Sequence, residues 1–366
     1  DDDKEKFDGH MTKSSFAMVP FCKAISSSTL FACFFLTAIS AFPMGSTMMR
    51  DKRKPTSIIA ASSVDDIGRD RASSAASSSL TIGAVQPALR QPSSSPSDAV
   101  DHAIELIRRT ASLYDGKIDL FVLPELSPIG YSEDTFQHHL PVENSAKADS
   151  RLEMYPSIDR SFSRLAKELQ CYICYGTIGS VKDCNDDNAK ESYTIRQNVM
   201  DDDGQLICSY DKMHLCNYGD CAETRFFVPG NQPCSFHCRG FQIGIIICAD
   251  MRNPSLTRKL ASRAHACDVI LQPAAFSRDI SFRTWTSFRE TRAVENSVYF
   301  VAVNYAGSNY GNTAFVEPWV DENNEPEVLG TEEGVLVVEV KRDVLERVRR
   351  EFPYYEQVMS EEWNVG

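Results

Sequence analysis

Residues Ile243–Pro254 read IGIIICADMRNP. The isoleucines Ile245, Ile246 and Ile247 lead directly into Cys248, and the chain turns polar at once. A short β-branched run that ends at a polar turn predicts a buried strand. Its last residue admits two readings. A free cysteine is often only a small buried hydrophobe. In an α/β sheet, however, the carboxyl end of a strand is where reactive groups are presented to a substrate.

The segments on either side decide which fold holds this strand. From Leu80 onward, strand patterns alternate with helix patterns. LTIGAVQ (80–86) and KIDLFVLPE (117–125) read as strands, with an amphipathic helix over 97–114 between them. A helix over 158–170 precedes a strand over 171–179, and 193–212 reads as a hairpin turning at Asp201–Gly204. Beyond Cys248 follow helix 255–266, strand 268–276, helix 285–296, strand 298–304, late strands at 312–318 and 334–340, and a closing helix over 342–352. This alternation predicts an α/β domain over 80–352 on one continuous core.

Three of these strands share a design. FVLPE delivers Glu125, ICSYDK delivers Lys212 and IGIIIC delivers Cys248. Taken singly, each has a bland reading: a loop carboxylate, a surface lysine and a core thiol. Together they form a chemical set. A thiol attacks as thiolate, and an ordinary thiol pKa of about 8.5 leaves little of it at neutral pH. A nearby ammonium favours the anion, and a carboxylate within reach takes the proton as general base. The same ammonium stabilises the oxyanion formed at a carbonyl carbon, and the backbone N–H of Ala249 is placed to assist.

LPE (123–125), YDKMHL (210–215) and IIICADMR (245–252), together with RAVEN (292–296), resemble the signature segments of the nitrilase superfamily, the carbon–nitrogen hydrolases. The resemblance covers nearly all of 80–352. It implies a four-layer α-β-β-α sandwich and a triad of Glu125 as base, Lys212 as oxyanion stabiliser and Cys248 as nucleophile. It also implies a second glutamate, matched by Glu223 in CAETRFF (221–227), that holds Lys212 and the substrate. The family's Arg-Phe-Pro-Glu after the cysteine is here Arg252-Asn253-Pro254-Ser255. The implied reaction is hydrolysis of a small non-peptide amide or N-carbamoyl compound through a thioester, with release of ammonia and no cofactor or metal. Ala249-Asp250 stands where nitrile-cleaving members carry Trp-Glu, so the amidase and carbamoylase side is favoured. N-carbamoylputrescine amidase-like and omega-amidase-like activities both stay open. The alternatives are a nitrilase and a catalytically silent binding relative. Tyr131, Arg252, Phe276 and Asn304 are candidate substrate contacts. Arg252 equally suits a scaffold ion pair, which is the favoured reading. His214 and His265 are read as structural or surface residues.

The remaining features bound the setting. With a formal net charge of −13, the chain would be repelled by phosphate backbones, which disfavours nucleic acid as a partner. No apolar run approaches the roughly 20 residues a membrane span needs. Residues 1–10 read as an expression or gene-model remnant. Residues 11–42, with an apolar stretch at Leu30–Ile39 before Ser40 and Ala41, read as a secretory leader, and 43–79 as a Ser/Arg-rich disordered extension. The pair resembles two-part plastid leaders. Cytoplasmic residence follows instead if the leader is an artefact. Cys216, Cys221, Cys234, Cys238, His214 and His237 suggest zinc, but CSFHC (234–238) reads as a strand, which sets its two cysteines about 13 Å apart. The other cysteines follow no regular disulfide framework. The tail 353–366 is expected to lie across a partner copy, making a homodimer or larger assembly.

Overall fold

The computed structural model describes residues 77–89, 96–140, 154–182, 191–218, 221–352 and 354–360. The readings of 1–10, 11–42 and nearly all of 43–79 lie outside these residues, and with them the question of compartment.

Two six-stranded sheets form the body. The first runs in the order β12-β1-β2-β3-β4-β5, built from β1 (Ser79–Gln86), β2 (Leu120–Val122), β3 (Tyr172–Val181), β4 (Ser192–Met200), β5 (Leu206–Asp211) and β12 (Gly334–Lys341). The second runs β11-β10-β9-β8-β7-β6, from β6 (Cys234–Cys238), β7 (Phe241–Ile245), β8 (Val269–Pro273), β9 (Tyr299–Val303), β10 (Ala314–Val316) and β11 (Glu327–Val328). Each sheet has three parallel strands at its centre, β1-β2-β3 and β7-β8-β9, with antiparallel neighbours outside. Parallel strands are covered on both faces and read as unbroken apolar runs; VILQP of β8 and YFVAV of β9 are buried at every position.

Helices cover the outer faces. On the first sheet lie α1 (Pro96–Leu113) and α3 (Met154–Leu169), and α2 (Glu133–His139) stands between them in sequence. Val100, Ala103, Ile104, Ile107 and Ala111 form the buried stripe of α1, at the spacing that an amphipathic helix requires. On the second sheet lie α4 (Pro254–Ala261) and α5 (Arg283–Asn296). The expected four-layer α-β-β-α sandwich is the fold.

The C-terminal part departs from expectation. The closing helix α6 (Arg342–Glu351) is followed by α7 (Tyr354–Ser360), whose Val358 is fully buried against α4, α5 and α6 of the same chain. The first part of the tail therefore joins the domain's own core, and the domain runs past 352. Arg342 and Arg349 both bind Asp268, at 3.0 and 2.9 Å, fastening α6 to the start of β8. Cys208 of β5 and Cys234 of β6 form a disulfide between edge strands of the two sheets, a pair the sequence spacing did not suggest.

Candidate active site

Each expected triad residue lies just beyond a strand. After β2, Leu123 still pairs with Cys174 O at 2.8 Å, and the chain then turns through Pro124 to Glu125. Gly176 of β3 makes room for that turn: a Cβ there would lie 2.3 Å from Leu126 N. Lys212 directly follows β5, its N–H bonded to Ile195 O at 2.9 Å. β7 closes at Ile245, and the chain stays buried through Ile246 and Ile247 before Cys248 opens a short 3-10 turn, Cys248–Arg252. Cys248 has φ 44°, in the left-handed region that non-glycine residues rarely adopt. Such a sharp turn is the local geometry that presents a side chain at the end of a strand.

Lys212 is completely buried, as are Glu125 and Glu223. Its Nζ donates to Glu125 Oε1 and to Glu223 Oε1, each at 2.7 Å. An ammonium has three donors, so one remains. The second oxygen of Glu125 accepts Ala275 N–H at 3.0 Å, and Tyr305 OH donates to the Glu125 carbonyl at 2.8 Å. Glu223 Oε2 accepts Cys216 N–H at 2.7 Å, and Tyr131 OH donates to Glu223 Oε1. A lone buried charge would be very costly. Here the carboxylates flank the cation and their remaining oxygens are hydrogen-bonded.

The electrostatics refine one expectation. Burial pushes the Cys248 thiol well above its ordinary pKa; Glu125 adds to the rise, and Lys212 opposes it without prevailing. This direction favours the neutral thiol at Cys248. Burial also lifts Glu125, to about 7, with Lys212 pulling the other way. Burial would lower the pKa of Lys212, but Glu125 and Glu223 hold it well above its ordinary value, so it stays charged. Glu125, lifted to about 7, thus lies within electrostatic reach of the Cys248 thiol.

Other candidates fall differently. Phe276 is buried against Trp285 and Phe282, in the core rather than in a cavity. Asn304 is fully buried, and its amide is taken up by Phe276 N, Phe276 O and Gly311 O at 2.9–3.0 Å. It fastens the loop after β8 to the loop after β9, with both of its amide hydrogens donated. Arg252 makes no ion pair with Asp250. It bonds to Tyr218 OH and to Ser281 Oγ, and it lies over the rings of Tyr218, Phe276 and Phe288. Ala249 sits buried in the turn after the thiol. Cys234, one of the zinc candidates, is consumed by its disulfide.

A cavity of about 790 Å³ opens above the site, lined by Tyr131, Phe136, Cys221, Ala275, Arg278 and Tyr310 among others. Glu133 stands at its rim and pairs with Arg225 at 2.6 Å. Sequence reading missed Arg278, Ala275 and Tyr305, and took Cys221 only as a zinc candidate. Only Arg278 carried a signal, as a cation directly after the strand end at Phe276. It is clipped to Tyr310 O at 2.6 Å and to Asn312, and it stacks on Phe282. Neither Arg252 nor Arg278 has a carboxylate partner among the described residues.

Comparison with known proteins agrees with this fold. The family model described as carbon-nitrogen hydrolase matches residues 81–350. Omega-amidase NIT2 of Homo sapiens is 27% identical over 292 residues, covering 75% of this chain and 94% of that protein. A 2-oxoglutaramate amidase of Bacillus subtilis is 27% identical over 248 residues, covering 66% and 86%. Among solved structures, Saccharomyces cerevisiae Nit3, a member of branch 10 of the nitrilase superfamily, superposes with TM-score 0.60 at 23% identity, covering 76% of this chain and 95% of that one.

Proposed function

The chain belongs to the carbon–nitrogen hydrolase family, and from that premise we propose that it hydrolyses a small amide through a thioester on Cys248. The observation that carries this reading is the fully buried Lys212 held between Glu125 and Glu223 at 2.7 Å. A bridge with no exposure contributes little to stability for its cost, and its remaining donor suits an oxyanion. Glu125 takes the proton of Cys248 as the thiol attacks the amide carbon. Lys212 and the Ala249 N–H receive the negative oxygen. Glu125 returns the proton to the leaving nitrogen, and ammonia departs. Water then attacks the thioester with Glu125 again as base.

The cavity above the site supports a finer reading of the substrate class. Two relatives are named for omega-amidase and 2-oxoglutaramate amidase activity. A monoamide with a carboxylate at its far end fits a cavity lined by Arg278, which lacks an acidic partner among the described residues, because a guanidinium pairs bidentately with a carboxylate. Ammonia release from omega-amides of dicarboxylic acids, uncharged amides, N-carbamoyl amines, N-carbamoyl amino acids and nitriles tests this. The expected order puts the carboxylate-bearing amides first, with Arg278→Gln raising KM for them alone. Release from none of the amides would leave a silent, ligand-binding relative. Preference for nitriles or N-carbamoyl compounds would move the protein to another branch.

A further inference from the structure

The chemistry above makes no use of Asp250. This residue is wholly buried, two positions beyond the nucleophile. Four donor contacts converge on its carboxylate. Oδ1 takes His214 N–H and His214 Nδ1, both at 2.8 Å. Oδ2 takes Tyr210 OH at 2.7 Å and Ile247 N–H at 2.9 Å. Asn253 Oδ1 accepts Ser255 N–H, so its amide nitrogen donates to His214 Nε2 and leaves Nδ1–H for Asp250. A carboxylate has about four lone-pair sites, and all of them are addressed here.

The positions of the donors matter more than their number. Tyr210 and His214 flank Lys212 on either side, and Ile247 immediately precedes Cys248. The lysine belongs to the first sheet and the cysteine to the second, and hydrogen bonds within a sheet do not fix one sheet's offset from the other. One buried carboxylate grips both. It also supports the left-handed backbone of Cys248 from its amino side, while Gln272 Nε2 holds Cys248 O at 3.2 Å on the other.

We propose that Asp250 is a positioning residue: its carboxylate, gripping Tyr210 and His214 around Lys212 and Ile247 beside Cys248, sets the separation of lysine and nucleophile across the two sheets. The proposal rests on the roles given to Lys212 and Cys248 above. An error of about 1 Å in such a separation is enough to cost on the order of a hundredfold in rate. It weakens an interaction made in the transition state, so kcat falls while KM holds.

Asp250→Asn keeps the volume but turns an N–H₂ toward groups that are themselves donors. Tyr210→Phe removes one contact and leaves the others, and it serves if the asparagine variant does not fold. For each variant kcat, KM and the rate of Cys248 alkylation by iodoacetamide at fixed pH are measured, alone and combined with Lys212→Met. The expected result is a fall in kcat of about ten- to a hundredfold with KM within about twofold. Alkylation should slow about fivefold. In the Lys212→Met background the same changes should cost less than about threefold in both, because an effect exerted through Lys212 cannot be lost twice. Equal losses with and without Lys212 would reduce Asp250 to ordinary scaffold and overturn the proposal, as would a folded Tyr210→Phe with unchanged kcat and alkylation. Alkylation needs no substrate. If no amide is turned over while the alkylation coupling persists, the substrate reading fails and the positioning role stands.

Discussion

Cys174 and Cys248 are both buried thiols, one inside the first sheet and one just beyond the end of β7 in the second. Cys174 sits inside β3, paired with Val122 and Val199. Burial pushes it to about 12, eased slightly by the amide of Gln197. Cys248 is also pushed up by burial, yet its neighbours are Glu125, Lys212 and Glu223, and its backbone is left-handed. Burial therefore does not distinguish the two thiols, and an upward pKa shift does not either. The difference is the buried carboxylate of Glu125, which acts electrostatically on Cys248 and is itself lifted to about 7.

The comparison breaks most severely at Cys248, the proposed nucleophile. Cys248→Ala is expected to lower turnover by about 10⁴-fold or more while the far-UV spectrum and melting remain near wild type. Retained ammonia release would return Cys248 to the company of Cys174. Lys212→Met removes the cation between two buried carboxylates. It should lower kcat about a hundredfold or more, and it should also cost about 3–5 kcal/mol of stability, since the carboxylates are left facing each other. It should also raise the Cys248 pKa further, read as a shift of the alkylation profile to higher pH. A variant with normal turnover and melting would place Lys212 outside the chemistry.

A smaller effect concerns Glu125. Its folded pKa of about 7 lies above its ordinary 4.5, so between those values the folded state binds more protons than the unfolded state. Its contribution to stability is complete below about pH 4.5 and is lost as pH rises through 7, up to about 3 kcal/mol for this group. Activity should move the other way, with kcat/KM rising about tenfold per pH unit below 7 as the base ionises. Glu125→Gln should remove the stability slope, measured by chemical denaturation at pH 5 and pH 7.5. The smallest effect belongs to Cys174→Ala: a loss of about 1 kcal/mol in stability and unchanged kcat. A kinetic defect there would blur the contrast.

The strand ends were the legible part of the sequence. FVLPE, ICSYDK and IGIIIC each carry the pattern of an apolar strand meeting a polar group, and that pattern depends only on neighbours in the chain. Groups that act across the sheets left no such trace. Asp250 is one polar residue in a turn until Tyr210 and His214 are seen folded against it. Phe276 and Asn304 misled because a residue beyond a strand can equally face the core or the cavity, and local sequence does not distinguish the two. The last helix was missed because Pro353 reads as a terminator and Val358 is the only buried residue among the described residues after it.

The pairing of β1 with β12 joins Ser79 to Lys341 and Gln86 to Gly334. The first strand of the described body thus finds one of its two partners only at the end, after the whole second sheet has been traversed. During synthesis on a ribosome, β1 waits with an open edge until residues 334–341 have emerged, while everything needed for β6 to β10 is already available. The second sheet can assemble while the first is still incomplete. An exposed strand edge held that long is the kind of surface chaperones protect. A chain interrupted before 334 would hold Glu125, Lys212 and Cys248 in its sequence and still lack the strand that closes the sheet behind two of them.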